Sequence, residues 1–422
     1  LKIVLSHSGK QHSYQVAKAM DQLGVLDTFY TSAYVRYKGL QRFFLRTKNN
    51  YFTRRFVTGL SGDQINANWR FELKEILFRK LYGKSIKTQN AVYNRDVKFD
   101  AYVAQQIEKR AKREDLKDKL FWGFQGSCYK SLKAARKAGM ITVIELATAH
   151  VVAAKRILGE EQKLQPEWAD SIDNLRFPKA YEDRLIEEPH LADYVVAASE
   201  FTKATLLEVG VPEPKILYLP LGVEVAEVAS KREAKYKKPI KLLYAGTVTQ
   251  RKGIKYLLEA IKSYDSSEIE LHIYGHVQGS GEAFKAYEAD VCYHGPVSQT
   301  ELFTLYKNFD FLVLPSIFEG FGLVIIEAMA AGLPVVTTKH TYGAELISHE
   351  ENGFLVDIRS ISGLRQVFDN ILKLKEEQYL TLSSKAKDAI QSLTWQHYKA
   401  RLKDQLEQLM VLRSNDTVKP QL

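Results

Sequence analysis

The sequence predicts an α/β chain made of two doubly wound parallel-sheet domains. Three observations carry this. The 422 residues exceed one typical domain and suit two domains of roughly 200 residues each. Short apolar runs alternate with helical patterns through most of the chain, the texture of βαβ units. Several of these runs are continuous in Val, Ile, Leu and Tyr, as strands buried on both faces of a parallel sheet require.

Taken in order, the first half reads as strands over 2–6, 25–31, 101–104, 120–124, 141–146, 194–198 and 216–220. Helical patterns, such as 13–23 and 127–138, lie between them. Around 223–239 the chain turns polar and charged, and this stretch reads as a linker. A second series of strands follows at 240–245, 269–274, 291–294, 311–315, 334–337 and 354–356. The expected division is therefore 1–222, a linker at 223–239, 240–394, and a terminal helix and tail at 395–422. Thr394 is placed to cap that helix. Tyr398, Leu402, Leu406 and Leu409 form one apolar stripe along it, which must be buried somewhere.

Composition narrows the class. With 45% hydrophobic and 26% charged residues, the chain is ordinary globular protein. Cys128 and Cys292 lie far apart and lack CxxC spacing, which argues against a disulfide framework or zinc cluster and suits a reducing compartment. The longest apolar region, 320–336, is interrupted by Glu327, Gly332 and Pro334 and is too short and broken to span a bilayer. The chain opens directly on a strand pattern, with no signal-peptide pattern ahead of it. A cytoplasmic protein is the expectation. The net charge of +10 is uneven. Arg36, Lys38, Arg42, Arg46, Lys48, Arg54 and Arg55 fall within 20 residues that hold no acid and have aromatics interleaved. That pattern suits an anionic membrane surface or an anionic acceptor, or else a solvated basic loop. Nucleic acid is not the expected partner.

The most informative stretch is 310–338, DFLVLPSIFEGFGLVIIEAMAAGLPVVTT. An apolar strand ends at Pro315. A loop carries Glu319, Gly320, Phe321 and Gly322. A helix then runs from about Leu323 to a Gly332–Pro334 stop. Such a loop lies outside the carboxyl end of a strand, where open α/β sheets bind ligands. Its glycines let backbone amides approach a ligand, and the helix N-terminus adds free N–H groups and the positive end of a dipole. A diphosphate would be held well there. Glu319 can accept hydrogen bonds from sugar hydroxyls, and Glu327, on an apolar helix, needs donors such as a ribose diol.

This segment closely resembles the E-x7-E signature of retaining glycosyltransferases of the GT-B fold, family four (glycosyl transferases group 1), with Glu319 and Glu327 as its two glutamates. The resemblance implies two Rossmann-like domains facing a cleft, with a C-terminal helix crossing back to the first. It implies that Glu319 binds the donor sugar, Glu327 the ribose, and Gly320, Phe321, Gly322 and Leu323 the diphosphate and sugar. The run from Tyr244 to Ala260 resembles the family's strand–loop–helix at the cleft, which supplies an arginine and a lysine to the phosphates. Lys252 matches the lysine, Thr247 stands where arginine is usual, and Arg251 is placed to compensate. Either cation would serve because the leaving diphosphate gains charge in the transition state. The stretch around Val297 resembles the nucleobase loop, and Gly9 and Lys10 stand in the counterpart of the glycine-rich loop after the first strand. His150, at the close of a strand, matches an active-site histidine, and His12 and Glu145 are further cleft candidates.

The implied activity is retaining, front-face transfer from a nucleotide sugar, by default a UDP-sugar, to a glycan or lipid-linked acceptor. No cofactor is expected beyond the donor, and no metal, since the chain has no Asp-x-Asp. A nucleotide-sugar epimerase of the same fold and a catalytically silent nucleotide-sugar-binding protein stay open as alternatives.

Overall fold

The computed structural model describes residues 1–10, 12–47, 50–83, 86–172, 177–223 and 236–416, with the side chains of 50, 74, 86 and 412–416 left aside. Most of the expected linker, and Lys48 of the basic segment, lie outside the described residues.

The first half forms one seven-stranded sheet. Its strands are β1 (Lys2–His7), β2 (Leu26–Thr31), β3 (Ile65–Ala67), β4 (Lys119–Phe124), β5 (Ile141–Leu146), β6 (Tyr194–Ala197) and β7 (Ile216–Tyr218). They lie in the order β3-β2-β1-β4-β5-β6-β7, with every pairing parallel. The second half forms a six-stranded sheet of β8 (Ile240–Ala245), β9 (Ile269–Tyr274), β10 (Cys292–Gly295), β11 (Phe311–Leu314), β12 (Val335–Thr338) and β13 (Gly353–Val356). Its order is β10-β9-β8-β11-β12-β13, again parallel throughout. The strand order reverses between β1 and β4 and between β8 and β11. These are the switch points where doubly wound sheets open a crevice at their carboxyl ends. The central strands are fully buried, for example Phe311 to Leu314 at 0% exposure, which matches their unbroken apolar runs.

Two strand expectations are corrected. Residues 101–104 are not a strand but part of the helix Ile86–Ala111. Phe99, Val103 and Ile107 are buried at i, i+4 and i+8 along it, so helical periodicity outweighs the local Tyr-Val-Ala run. The edge strand β3 was missed. It has three residues, and only Ile65 of them is fully buried, too little pattern to read.

The terminal helix, Trp395–Asp416, begins as expected. The Thr394 Oγ1 accepts from the His397 N–H at 3.3 Å, a cap bond to the third helical residue. Its stripe of Tyr398, Leu402, Leu406 and Leu409 is buried. The helix packs on the helix Ser13–Gln22 of the first sheet, and Lys399 donates to the Gln22 side chain at 3.2 Å. The two halves also meet beside the cleft: the Ser199 hydroxyl donates to the Gly320 carbonyl at 2.7 Å, and the Thr249 hydroxyl donates to the Ser171 carbonyl at 2.6 Å.

Candidate functional site

Between the sheets lies a cleft of about 720 Å³, within the size range of small-molecule sites. The loops after β1, β5, β8 and β11 feed it with Lys10 and His12, Ala147, Gly246 and Lys252, and Glu319 and Phe321 to Val324.

The loop after β11 is pinned from behind. The Ile317 and Phe318 amides both donate to the Arg251 carbonyl, at 3.0 and 3.2 Å. Gly320 packs so closely on Ala147 and Thr148 that a Cβ there would stand 2.3 Å from the Thr148 Cα. Glycine at 320 therefore serves the contact between the halves, and Gly320 is buried there rather than facing the cleft. Gly322, at φ 86, turns the chain into the helix Leu323–Ala330, whose N-terminus no side chain caps. Gly322, Leu323 and Val324 line the cleft, so the first amides of the helix and the dipole's positive end lie at the place an anion would occupy.

Glu319 stands between two cations. Its Oε2 is 3.0 Å from Arg251 Nη1 and 3.3 Å from Lys252 Nζ. Burial pushes this carboxyl up, but Lys252 and then Arg251 outweigh burial and hold it below the usual range. Burial, reinforced by Arg251, lowers the Lys252 ammonium despite Glu319. Arg251 also donates to the Phe318 carbonyl at 2.8 Å and stands behind Glu319, outside the cleft lining. It holds the Glu319 carboxylate from that side. Thr247 does not line the cleft either, and its carbonyl accepts from the Tyr244 hydroxyl at 2.8 Å. The cations that do line it are Lys252 and Lys10. Lys10 is lowered by burial and by the nearby Arg54 and Arg55.

Glu327 lines the same cleft. Gln299 Nε2 donates to it at 2.7 Å and the Tyr306 hydroxyl at 3.1 Å. Burial raises this carboxyl above its ordinary value. Sequence reasoning missed Gln299 and Tyr306. The signal was the capping box of Ser298 and Glu301, which starts a helix with Gln299 in its first turn. Val297, just ahead of that box, is partly exposed and outside the cleft lining.

Of its two candidate histidines, the first sheet turns only His12 to the cleft. His150 is fully buried and caps the helix Val151–Leu164, its Nδ1 accepting from the Val152 N–H at 3.3 Å. Burial, with His190 nearby, lowers it to about 4. It does not line the cleft, because its ring turns into the helix start rather than toward the crevice. His12 does line the cleft. Its Nε2 contacts the carboxylate of Glu145, which is 1% exposed and also accepts from Trp122 Nε1 at 2.9 Å. Gly9 turns its amide to His7 Nδ1 at 2.7 Å and is likewise not in the lining.

Residues 225–389 match the family model described as glycosyl transferases group 1. An uncharacterised glycosyltransferase of Methanocaldococcus jannaschii is 33% identical over 165 residues, covering 36% of this chain and 41% of the relative. The amylovoran biosynthesis glycosyltransferase AmsK of Erwinia amylovora is 30% identical over 196 residues, covering 41% and 48%. The chain spans about half the length of the curated relatives it matches. In overall structure it is similar to HepE of Anabaena, solved with UDP and glucose. The TM-score is 0.62 at 15% identity, covering 97% of this chain and 100% of the other. A sucrose-phosphate synthase of Thermosynechococcus elongatus gives 0.62 at 18% identity, covering 97% and 99%. Residues 225–389 are thus similar to glycosyl transferases group 1, and the two facing parallel sheets carry the GT-B fold.

Proposed function

We propose that this chain is a retaining glycosyltransferase, moving a sugar from a UDP-sugar to a glycan or lipid-linked acceptor without a metal. One observation carries the reading. An uncapped helix N-terminus, a buried lysine and two carboxylates converge on one cleft. Lys252 and Lys10 meet the diphosphate, the first-turn amides of the helix Leu323–Ala330 hold its oxygens, Glu319 takes the sugar hydroxyls and Glu327 the ribose diol. The positive groups are preorganised for charge that grows as the diphosphate leaves. Similarity to a fold solved with UDP supports the nucleotide, and similarity to an amylovoran biosynthesis enzyme supports a role in polysaccharide assembly.

The acceptor side faces a basic, aromatic surface. The helix Lys38–Arg46 buries none of its residues and exposes Leu40, Phe43 and Leu45. We read this as a peripheral contact with an anionic membrane. Among the described residues no helix is long and apolar enough to cross one.

A donor panel tests the reading. Thermal stabilisation by UDP in the presence of chelator, and UDP release from a UDP-sugar only when acceptor is added, are expected. A requirement for divalent metal, stabilisation by GDP alone, or release that ignores acceptor would each overturn part of it.

A further inference from the structure

We propose that the groove between the helices Arg70–Tyr82 and Ile86–Ala111 is a binding site for an anionic phospholipid. It deepens the membrane reading above.

The groove encloses about 710 Å³ and lies outside the donor cleft. Phe71, Phe78, Ala91 and Tyr102 supply its apolar surface. Arg70, Lys87 and Lys98 stand on its rim, and the lining holds no acidic residue. All three cations are exposed, and among the described residues none pairs with a carboxylate. Arg70 lies over the rings of Phe71 and Tyr102, at 4.8 and 5.3 Å, and Lys87 over Tyr82 at 4.7 Å. Cation heads above aromatic walls match a ligand with an anionic head and an apolar chain.

The surface leading into the groove repeats that chemistry. Leu73, Leu77 and Leu81 fall at i, i+4 and i+8 on the first helix and are 61%, 52% and 62% exposed. Three leucines in one row facing water are a standing cost for a free surface. A soluble protein partner would bring its own charge pattern, whereas the unrelieved positive rim complements an anionic leaflet. The face is also continuous with the helix Lys38–Arg46: Phe44 stacks on Phe52 at 4.3 Å, and Phe52 meets Trp69 at 6.2 Å, one residue before the groove helix begins. At the inner end Arg95, paired with Glu75 and Asp96, stands beside Gly9. The groove therefore leads toward the loop that carries Lys10 into the cleft. A lipid seated there would hold its head group on the acceptor side.

The test is co-sedimentation of the full chain with phosphatidylcholine vesicles, with and without phosphatidylglycerol. The variants are Leu73→Ser/Leu77→Ser/Leu81→Ser, Arg70→Gln/Lys87→Gln/Lys98→Gln and, on the other helix, Arg42→Gln/Arg46→Gln. Wild type should bind only the anionic vesicles. The leucine variant should lose about tenfold in partitioning, because insertion scales with buried apolar area. The Arg70/Lys87/Lys98 variant should lose the preference for phosphatidylglycerol. Stabilisation by UDP is measured in parallel and should be unchanged in all, which shows the variants folded and keeps this test apart from that of the transferase reading. No binding by wild type overturns the proposal. So does wild-type-like binding of the leucine variant, or loss confined to Arg42→Gln/Arg46→Gln.

Discussion

Arg251 holds Glu319 by donating to its Oε2 at 3.0 Å while also donating to the Phe318 carbonyl at 2.8 Å. One guanidinium thus fixes both the backbone and the side chain of the loop that faces the cleft. Lys252, its neighbour, meets the same carboxylate from the cleft side at 3.3 Å.

These positions assign different losses to the three residues. Glu319→Gln and Lys252→Ala should each lower kcat by about 100-fold or more, the scale for removing a preorganised charged contact. Arg251→Lys should raise the donor KM as well, because the ammonium ends short of the position of Nη1, the atom that makes both of the arginine's bonds. Steady-state kinetics with a UDP-sugar checks the split. A Lys252→Ala variant with wild-type kcat would remove the phosphate role.

Glu327 trades stability for binding. Burial raises its carboxyl, so the folded state holds that proton more tightly than the unfolded chain does. Its contribution is most favourable below the ordinary carboxylate range and is lost as pH rises through the raised folded value. Glu327→Gln should therefore stabilise the free protein at neutral pH by on the order of 1 kcal/mol. The gain should vanish in acid, and UDP affinity should fall at neutral pH. Melting curves across pH, with and without UDP, would show both.

His12 and His150 separate by readout. His12→Ala should lower kcat, since His12 lines the cleft against Glu145. His150→Asn should keep kcat, because asparagine also caps a helix. Wild-type His150 is lowered from 6.5 to about 4. Its stability is complete above the unfolded value and is lost as pH falls through that window. His150→Asn should lack that part of the acid destabilisation. A His150→Asn variant that is stable but inactive would return the catalytic role to His150.

Glu161 latches the two halves. It is fully buried and accepts from Gln250 Nε2 at 2.7 Å, the Tyr256 hydroxyl at 2.9 Å and Arg359 Nε at 2.6 Å. All three donors come from the second half, and Arg359 adopts a left-handed φ of 64 to reach it. Glu161→Ala would leave Gln250 and Tyr256 without this acceptor and Arg359 held by Glu160 and the Ile157 carbonyl alone, at a cost of about 1–3 kcal/mol. Small-angle scattering should show a more open particle, and donor affinity should drop. Glu161→Gln should fall between. An unchanged particle would remove the latch.

The two βα series, the strand–turn–helix around Gly322 and the terminal helix stripe were legible in the sequence alone. Each is written in local periodicity or in a backbone need that a few neighbouring residues express. Continuous apolar runs identified β11 and residues 242–245 of β8 because both faces are buried there. The three-residue edge strand β3 carried too little burial to be seen. Residues 101–104 misled because a strand-like triplet was embedded in a longer helical period.

Only the tertiary structure decided which side chains meet. Position at the end of a strand does not say where a ring turns, so of the two candidate histidines only His12 lines the cleft. Glu327 and Gln299 lie 28 residues apart, and Glu161 and Arg359 lie 198 apart. Such pairs are set by how two sheets close on each other. The exposed row of Leu73, Leu77 and Leu81 likewise became visible only once packing had left it uncovered, since an apolar helical period reads the same whether protein or another partner will cover it.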